Sequence, residues 1–199
     1  SLSGHKLHGT KGIGALYVRK GTRFSPFVVG GHQESNRRGG TENVPGIVGI
    51  GEAARLAMHE FAEHNDRIRN LRDKLEKGLV GKVSFCHRNG HKDQRLPNTL
   101  NIGFEYVEGE AILMRMDDQG ICASSGSACT SGSLEPSHVL RAMGVPFTSV
   151  HGSIRFSLSR YTTEEEVDYV VQVVPGIIEF LRSVSPFGRE SMATACTVN

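Results

Sequence analysis

Residues 1–20 read SLSGHKLHGTKGIGALYVRK: a lysine, Lys6, between two histidines, followed by glycines and then a β-prone run. The glycine pattern Gly9-x-x-Gly12-x-Gly14 leads into a strand and does not open a helix. In that order it is neither a Walker loop nor a dinucleotide fingerprint, and it reads as a turn feeding a strand. A lysine amine attacks carbonyls only when desolvation or a nearby cation lowers its pKa, and here His5 is the neighbour. Most lysines are solvated surface charges, so the tetrapeptide SGHK gains meaning only from the rest of the chain.

Outward from this opening, 12–20 and SPFVVGG (25–31) read as strands, and the polar, glycine-rich stretch 30–46 as a loop whose Thr41 caps the next helix. Apolar residues then recur at helical spacing through Ile47, Ile50, Ala53, Ala54 and Ala57, and again over Asp66 to Val80 through Ile68, Leu71, Leu75 and Leu79. Both read as core-facing helices. VSFCH (83–87) and NTLNIGF (98–104) read as strands, 109–118 as a helix, and ICASS (121–125) as a short strand entering the loop SSGSACTSGSLEPS (124–137). A helix over His138–Met143, the strand SIRFSLS (153–159) and a helix opened by Thr162, Thr163 and three glutamates complete the order, with Pro175 expected to kink or divide that helix. The tail 186–199 has no period and reads as frayed. The mixture predicts an α/β or α+β class with a small, largely antiparallel sheet covered by helices.

Composition narrows the function classes. Among 199 residues, 23 basic and 21 acidic side chains leave a formal charge of +2, too little for a broad cationic field that would hold nucleic acid or an anionic bilayer. The apolar stretches fall short of the roughly 20 residues that span a membrane. Four cysteines, Cys86, Cys122, Cys129 and Cys196, form no CxxC pair, which fits reduced thiols in the cytoplasm better than a zinc ribbon or a disulfide scaffold. Nine scattered histidines make no metal signature.

Two further positions carry chemistry. Cys129 is flanked by Ser, Ala, Thr and Gly, which leaves its thiol accessible, whereas Cys122 and Cys86 in apolar runs are expected to be buried. Arg155 alternates with Ile154, Phe156 and Leu158 along a strand, so it should face away from them and present a guanidinium fork suited to a carboxylate, a salt bridge on the surface being the competing use.

Together SLSGHKLHGTKGIGALYVRKG, SSGSACTSGSLEPSHVLRAMG and SIRFSLSRYTTEEEVDYVV resemble the cofactor-lysine motif, the catalytic-cysteine loop and the substrate-arginine strand of the cysteine desulfurases, which supply sulfur for iron-sulfur clusters. RRGGTEN and HGSIRFSLSRYTTE are most similar to the nitrogen-fixation, NifS-type branch. The resemblance implies a pyridoxal-phosphate-dependent transferase fold of the aspartate aminotransferase type, with residues 1–62 the C-terminal part of the large domain and 63–185 the small α+β domain. It implies pyridoxal 5'-phosphate on Lys6 with Ser3 and His5 on its phosphate, and Thr41 reaching the phosphate of a neighbouring subunit, hence a homodimer. Cys129 would be the nucleophile that takes sulfur from L-cysteine, and Arg155 would hold the substrate carboxylate, with Asn98 and Arg38 as further pocket residues. A scaffold protein would accept the sulfur, and Cys129 would transiently ligate the nascent iron-sulfur cluster there.

Position 10 is Thr where the family usually has Pro, which loosens the turn after Lys6 without touching its chemistry. The family's acid on the pyridine nitrogen and its ring-stacking histidine have no counterpart motif here. The resemblance therefore implies a C-terminal piece of a longer enzyme, with weak cofactor binding and little activity alone. Two other functions remain open on the sequence: a persulfide-carrier module without enzymatic activity, and a selenocysteine lyase of the same fold.

Overall fold

Alternation of apolar side chains builds the sheet on which Arg155 sits. In this computed structural model, which describes residues 1–125 and 136–185, β3 (Cys86–Arg88), β4 (Thr99–Phe104) and β5 (Ser153–Ser157) form an antiparallel sheet in the order β3-β4-β5. Leu100 pairs with Phe156, Ile102 with Ile154 and Phe104 with Cys86, and this face is buried. The other face carries Thr99, Asn101, Gly103, Ser153, Arg155 and Ser157, as the period of two requires.

Three helices bring residues to the buried face at i, i+3 and i+4 spacing. Ile68, Leu71, Leu75 and Leu79 come from α3 (Phe61–Lys82), Ile112 and Met116 from α4 (Gly109–Asp117), and Val167, Val174 and Ile178 from α7 (Glu164–Val184). Each such side chain contributes about 1.5–3 kcal/mol when fully buried. Lys74 ties α3 to α7 through Glu164 and Asp168 at 2.7 and 2.6 Å. Two short helices, α5 (His138–Ala142) and α6 (Phe147–Val150), precede β5. Gly152, at the entry to β5, can only be glycine: a Cβ there would lie 2.1 Å from the Phe104 carbonyl oxygen and 2.6 Å from that of Val107.

The chain divides into two compact units, and this sheet with its helices belongs to the one that begins at Glu63. In the other, Ser1–Ala62, β1 (Leu2–Ser3) pairs antiparallel with β2 (Gly14–Ala15), Leu2 opposite Ala15 and Ser3 opposite Gly14. They bracket a 3-10 turn over Gly4–Leu7. The single turn α1 (Gln33–Asn36) has left-handed backbone at Glu34 and Ser35. The helix α2 (Val44–His59) comes next.

Several sequence expectations change. Of the runs 12–20 and 25–31 only Gly14–Ala15 is strand. A β-prone run needs a neighbour to bond, and Leu16 and Tyr17 stand exposed. The cap of α2 is Asn43, not Thr41, its Oδ1 accepting from the Gly46 amide at 3.1 Å. That helix buries only Gly46 and Ala53, so it is not core-facing as its spacing suggested. Segment 121–125 contributes one bridge, Ser124 to Arg155, instead of a strand. Pro175 does not divide α7. Its missing N–H leaves the Val171 carbonyl without an intrahelical donor, and Lys82 Nζ donates to that oxygen at 3.5 Å. Among the described residues no helix is long and apolar enough to cross a membrane.

Candidate active site

Lys6 lies on the 3-10 turn between β1 and β2. The turn is closed by the Gly4 amide donating to Ile13 O and the Gly9 amide donating to Gly4 O, both at 2.9 Å, and by left-handed backbone at His8, φ 61°. Gly4 is required because a Cβ would meet Ile13 Cγ2 at 2.8 Å. The result is a short rigid stem that presents Ser3, His5 and Lys6 within four residues. Ser3 Oγ and His5 Nδ1 are hydrogen-bonded at 3.0 Å. Lys6 is exposed, and among the described residues its ammonium has no carboxylate or carbonyl partner.

Arg38 and Thr41 lie further along the same unit, both exposed. Arg38 Nη1 donates to the Gly39 carbonyl at 2.8 Å. Gly39 is pinned beneath it, its amide donating to Val28 O at 2.8 Å. Gly40, with φ 99°, donates to Gln33 Oε1 at 3.2 Å. The loop that carries Thr41 is thus held at both ends, by backbone at Val28 and by the Asn43 cap.

Arg155 and Asn98 belong to the second unit. Arg155 points away from the core between buried Ile154 and Phe156, and its side chain has no hydrogen-bond or ion-pair partner among the described residues. Its backbone is fixed on both sides. Asn101 is its partner on β4, and across the other edge its N–H donates to Ser124 O at 2.6 Å while the Ser124 N–H donates to Arg155 O at 3.1 Å. Asn98 precedes β4, accepts from the Leu158 amide at 2.8 Å and from Thr99 Oγ1 at 3.2 Å, and is exposed.

Sequence reading missed the polar layer beside Arg155. Asn89 Nδ2 donates to Asn101 Oδ1 at 2.7 Å and to Ser153 Oγ at 3.0 Å. Ser153 Oγ donates to Ser149 O at 2.8 Å, and Ser149 Oγ lies 3.3 Å from His87 Nε2. Ser149 and Ser153 are fully buried. The signal was the position of Asn101 in the period of two, opposite Arg155 on the face away from Leu100 and Ile102.

Cys129 and Cys196 lie outside the described residues. Cys122, expected buried, is exposed, whereas its neighbour Ile121 packs into the core. Cys86 is half-buried, its Sγ–H directed to Val83 O at 3.0 Å. Burial pushes its pKa up, partly opposed by the Arg182 charge.

The donor set on the Lys6 turn fits an anionic aldehyde: an unpaired primary amine, a hydroxyl and an imidazole within four residues, with no carboxylate among them. The exposed fork of Arg155 fits a carboxylate in the same way.

Comparison with known proteins points the same way. The family described as aminotransferase class-V matches residues 1–170. A cysteine desulfurase of Trichormus azollae is 63% identical over 187 residues, 94% of this chain and 47% of its own. Cysteine desulfurase NifS of Azotobacter vinelandii is 60% identical over 188 residues, 94% of this chain and 46% of its own. The chain thus spans about half the length of the curated relatives it matches. Among solved structures, a NifS-like protein superposes with TM-score 0.79 at 40% identity, covering 90% of this chain and 46% of that one. A NifS-like protein from Rickettsia africae gives 0.70 at 34% identity, covering 79% and 41%.

Proposed function

The chain belongs to the class-V aminotransferase family, and from that premise we propose that it forms part of a pyridoxal-phosphate-dependent cysteine desulfurase of the NifS type. The protein would convert L-cysteine to L-alanine and pass sulfur toward iron-sulfur cluster assembly. The observation that carries the reading is the Lys6 turn, an unpaired amine beside a bonded Ser3–His5 pair on a stem that leaves no room for a side chain at Gly4.

Lys6 would bond the cofactor, with Ser3 Oγ and His5 as ligands of its phosphate and Thr41 reaching the phosphate held by a second copy. Bound there, pyridoxal phosphate supplies an electron sink for bonds broken at the substrate α-carbon. Lys6 would also hold and return the α-proton of the substrate. Arg155 clamps the substrate carboxylate with parallel N–H donors, aided by Asn98 and Arg38. The Cys129 thiolate attacks the substrate sulfur. An S–S bond forms, the carbon–sulfur bond breaks, the released carbon takes a proton, and alanine leaves with the sulfur retained on Cys129 as a persulfide. That sulfur then passes to a scaffold protein, where Cys129 would transiently ligate the nascent cluster. Apolar side chains exposed on the first unit, Tyr17, Phe27 and Val29 among them, support the homodimer, since exposed apolar surface of this kind is ordinarily covered.

The test is Lys6→Ala in the protein produced from its own gene. Alanine release from L-cysteine should vanish. If alanine release persists, the reading is wrong. If alanine release was never present in the parent, yet Cys129 still loads from an external persulfide donor, the chain is a carrier module instead.

A further inference from the structure

The near-neutral charge of the chain hides one strongly cationic place. A cleft of about 680 Å³ runs along the outer side of α3 and the loop after β3. Six cations line it, Arg69, Arg72, Lys77, Arg88, Lys92 and Arg95. Only three carboxylates, Asp73, Glu76 and Asp93, line it with them. The lining carries three more positive than negative charges, and with Asp66, which pairs with Arg69 at 2.6 Å from just outside it, two remain in excess. Apart from Val80 and Gly81 every lining residue is charged.

The inner part of this cleft is under-neutralised in a specific way. Arg88 donates to one oxygen of Glu76 and Arg95 to the other. Arg72, almost fully buried, donates through Nη2 and Nε to the same oxygen of Asp73 at 2.7 and 3.0 Å, and Arg95 reaches that oxygen at 3.4 Å. Two carboxylates therefore serve three guanidinium groups in a half-buried setting, where an uncompensated charge is costly. Arg95 Nε is buried and has no hydrogen-bond partner among the described residues. At the rim Lys77 and Lys92 are exposed and have no ion-pair partner among the described residues.

We infer that this cleft is a docking site for an acidic segment of a partner protein, whose carboxylates meet Lys77 and Lys92 at the rim and face the guanidinium cluster that Glu76 and Asp73 only partly neutralise. The cations already bind two carboxylates of the chain itself, Glu76 and Asp73, and an incoming Glu or Asp side chain would extend that charge-assisted pairing. The lining has no aromatic ring on which a nucleic-acid base could stack. Its donors are long side chains spaced along a groove, which suits charges spaced along a peptide better than the compact oxygens of a single phosphate. The inference is independent of the roles of Lys6, Cys129 and Arg155.

The test is fluorescence anisotropy of a labelled hexaglutamate peptide with the intact chain and with Lys77→Glu/Lys92→Glu, both substitutions being on exposed side chains. The wild type should bind saturably at low salt, more weakly as salt is added, and hexaglutamine should not bind. The double variant should bind hexaglutamate at least about tenfold more weakly, a loss of roughly 1.4 kcal/mol. No saturable binding by the wild type, or equal binding by the variant, would overturn the site. Inorganic tripolyphosphate or a single-stranded oligonucleotide binding more tightly than the peptide at equal charge would overturn the assignment to an acidic protein segment.

Discussion

At the scale of single residues, Arg155 is the clearest candidate of the second unit for the proposed function. Its guanidinium is presented by a strand whose neighbours on either side are buried, and its backbone N–H and C=O are both bonded to Ser124 while Asn101 of β4 lies opposite. A group so fixed loses little freedom on binding a carboxylate. Arg155→Gln should raise KM for L-cysteine about 10- to 100-fold in steady-state kinetics, the loss expected for a charged hydrogen bond of about 1.5–3 kcal/mol. Arg155→Lys should recover only part of it, because an ammonium keeps the charge but not the fork. Cys86 supplies a second prediction. Burial raises its pKa above the ordinary 9.0, so the folded chain favours the neutral thiol. That contribution is complete below the unfolded thiol's pKa and is lost as pH rises through the folded value. Stability measured by urea unfolding should therefore decline at alkaline pH, and Cys86→Ala should remove that part of the decline. An identical decline in the variant would contradict the assignment.

At the scale of elements, legibility tracked the period of the pattern. Leu100, Ile102, Ile154 and Phe156 at every second place, and Leu71, Leu75 and Leu79 along one helical face, were readable because burial enforces those periods. The start of α7 was readable from Thr163 and Glu166, which form a capping box: Glu166 N donates to Thr163 Oγ1 at 3.2 Å and Thr163 N to Glu166 Oε2 at 2.9 Å. Of the runs 12–20 and 25–31 only Gly14–Ala15 is strand, because β propensity needs a partner strand that the other residues do not bond. The continuity of α7 through Pro175 was invisible because the compensating donor, Lys82, lies almost a hundred residues away in sequence. At the candidate site the Lys6 motif was legible only through its resemblance to the family and the outward face of Arg155 through its spacing, whereas the Asn89–Asn101–Ser153 layer depends on pairing between strands far apart in sequence. Gly152 joins these scales. Its missing Cβ lets the chain pass the carbonyls of Phe104 and Val107 before β5 begins, so Gly152→Ala must displace backbone. We expect a loss of about 1–3 kcal/mol or more in chemical unfolding, together with weaker L-cysteine binding as Arg155 shifts. Unchanged stability would mean that the entry to β5 yields easily.

At the scale of the whole molecule, average composition misled in one respect. A formal charge of +2 argues against a broad cationic field, yet it conceals a cleft lined by six cations and three carboxylates. The proposed function divides its roles between the two units: the first would carry the amine and the phosphate ligands, and the second the guanidinium for the substrate carboxylate and Cys129. The most direct test of that division is peptide mass spectrometry on the protein produced from its own gene, after brief exposure to pyridoxal phosphate and L-cysteine and blocking of free thiols. The account predicts one additional sulfur atom on the peptide containing Cys129, absent in Lys6→Ala. The added sulfur on exposed Cys122 or on Cys86, with Cys129 unmodified, would contradict it.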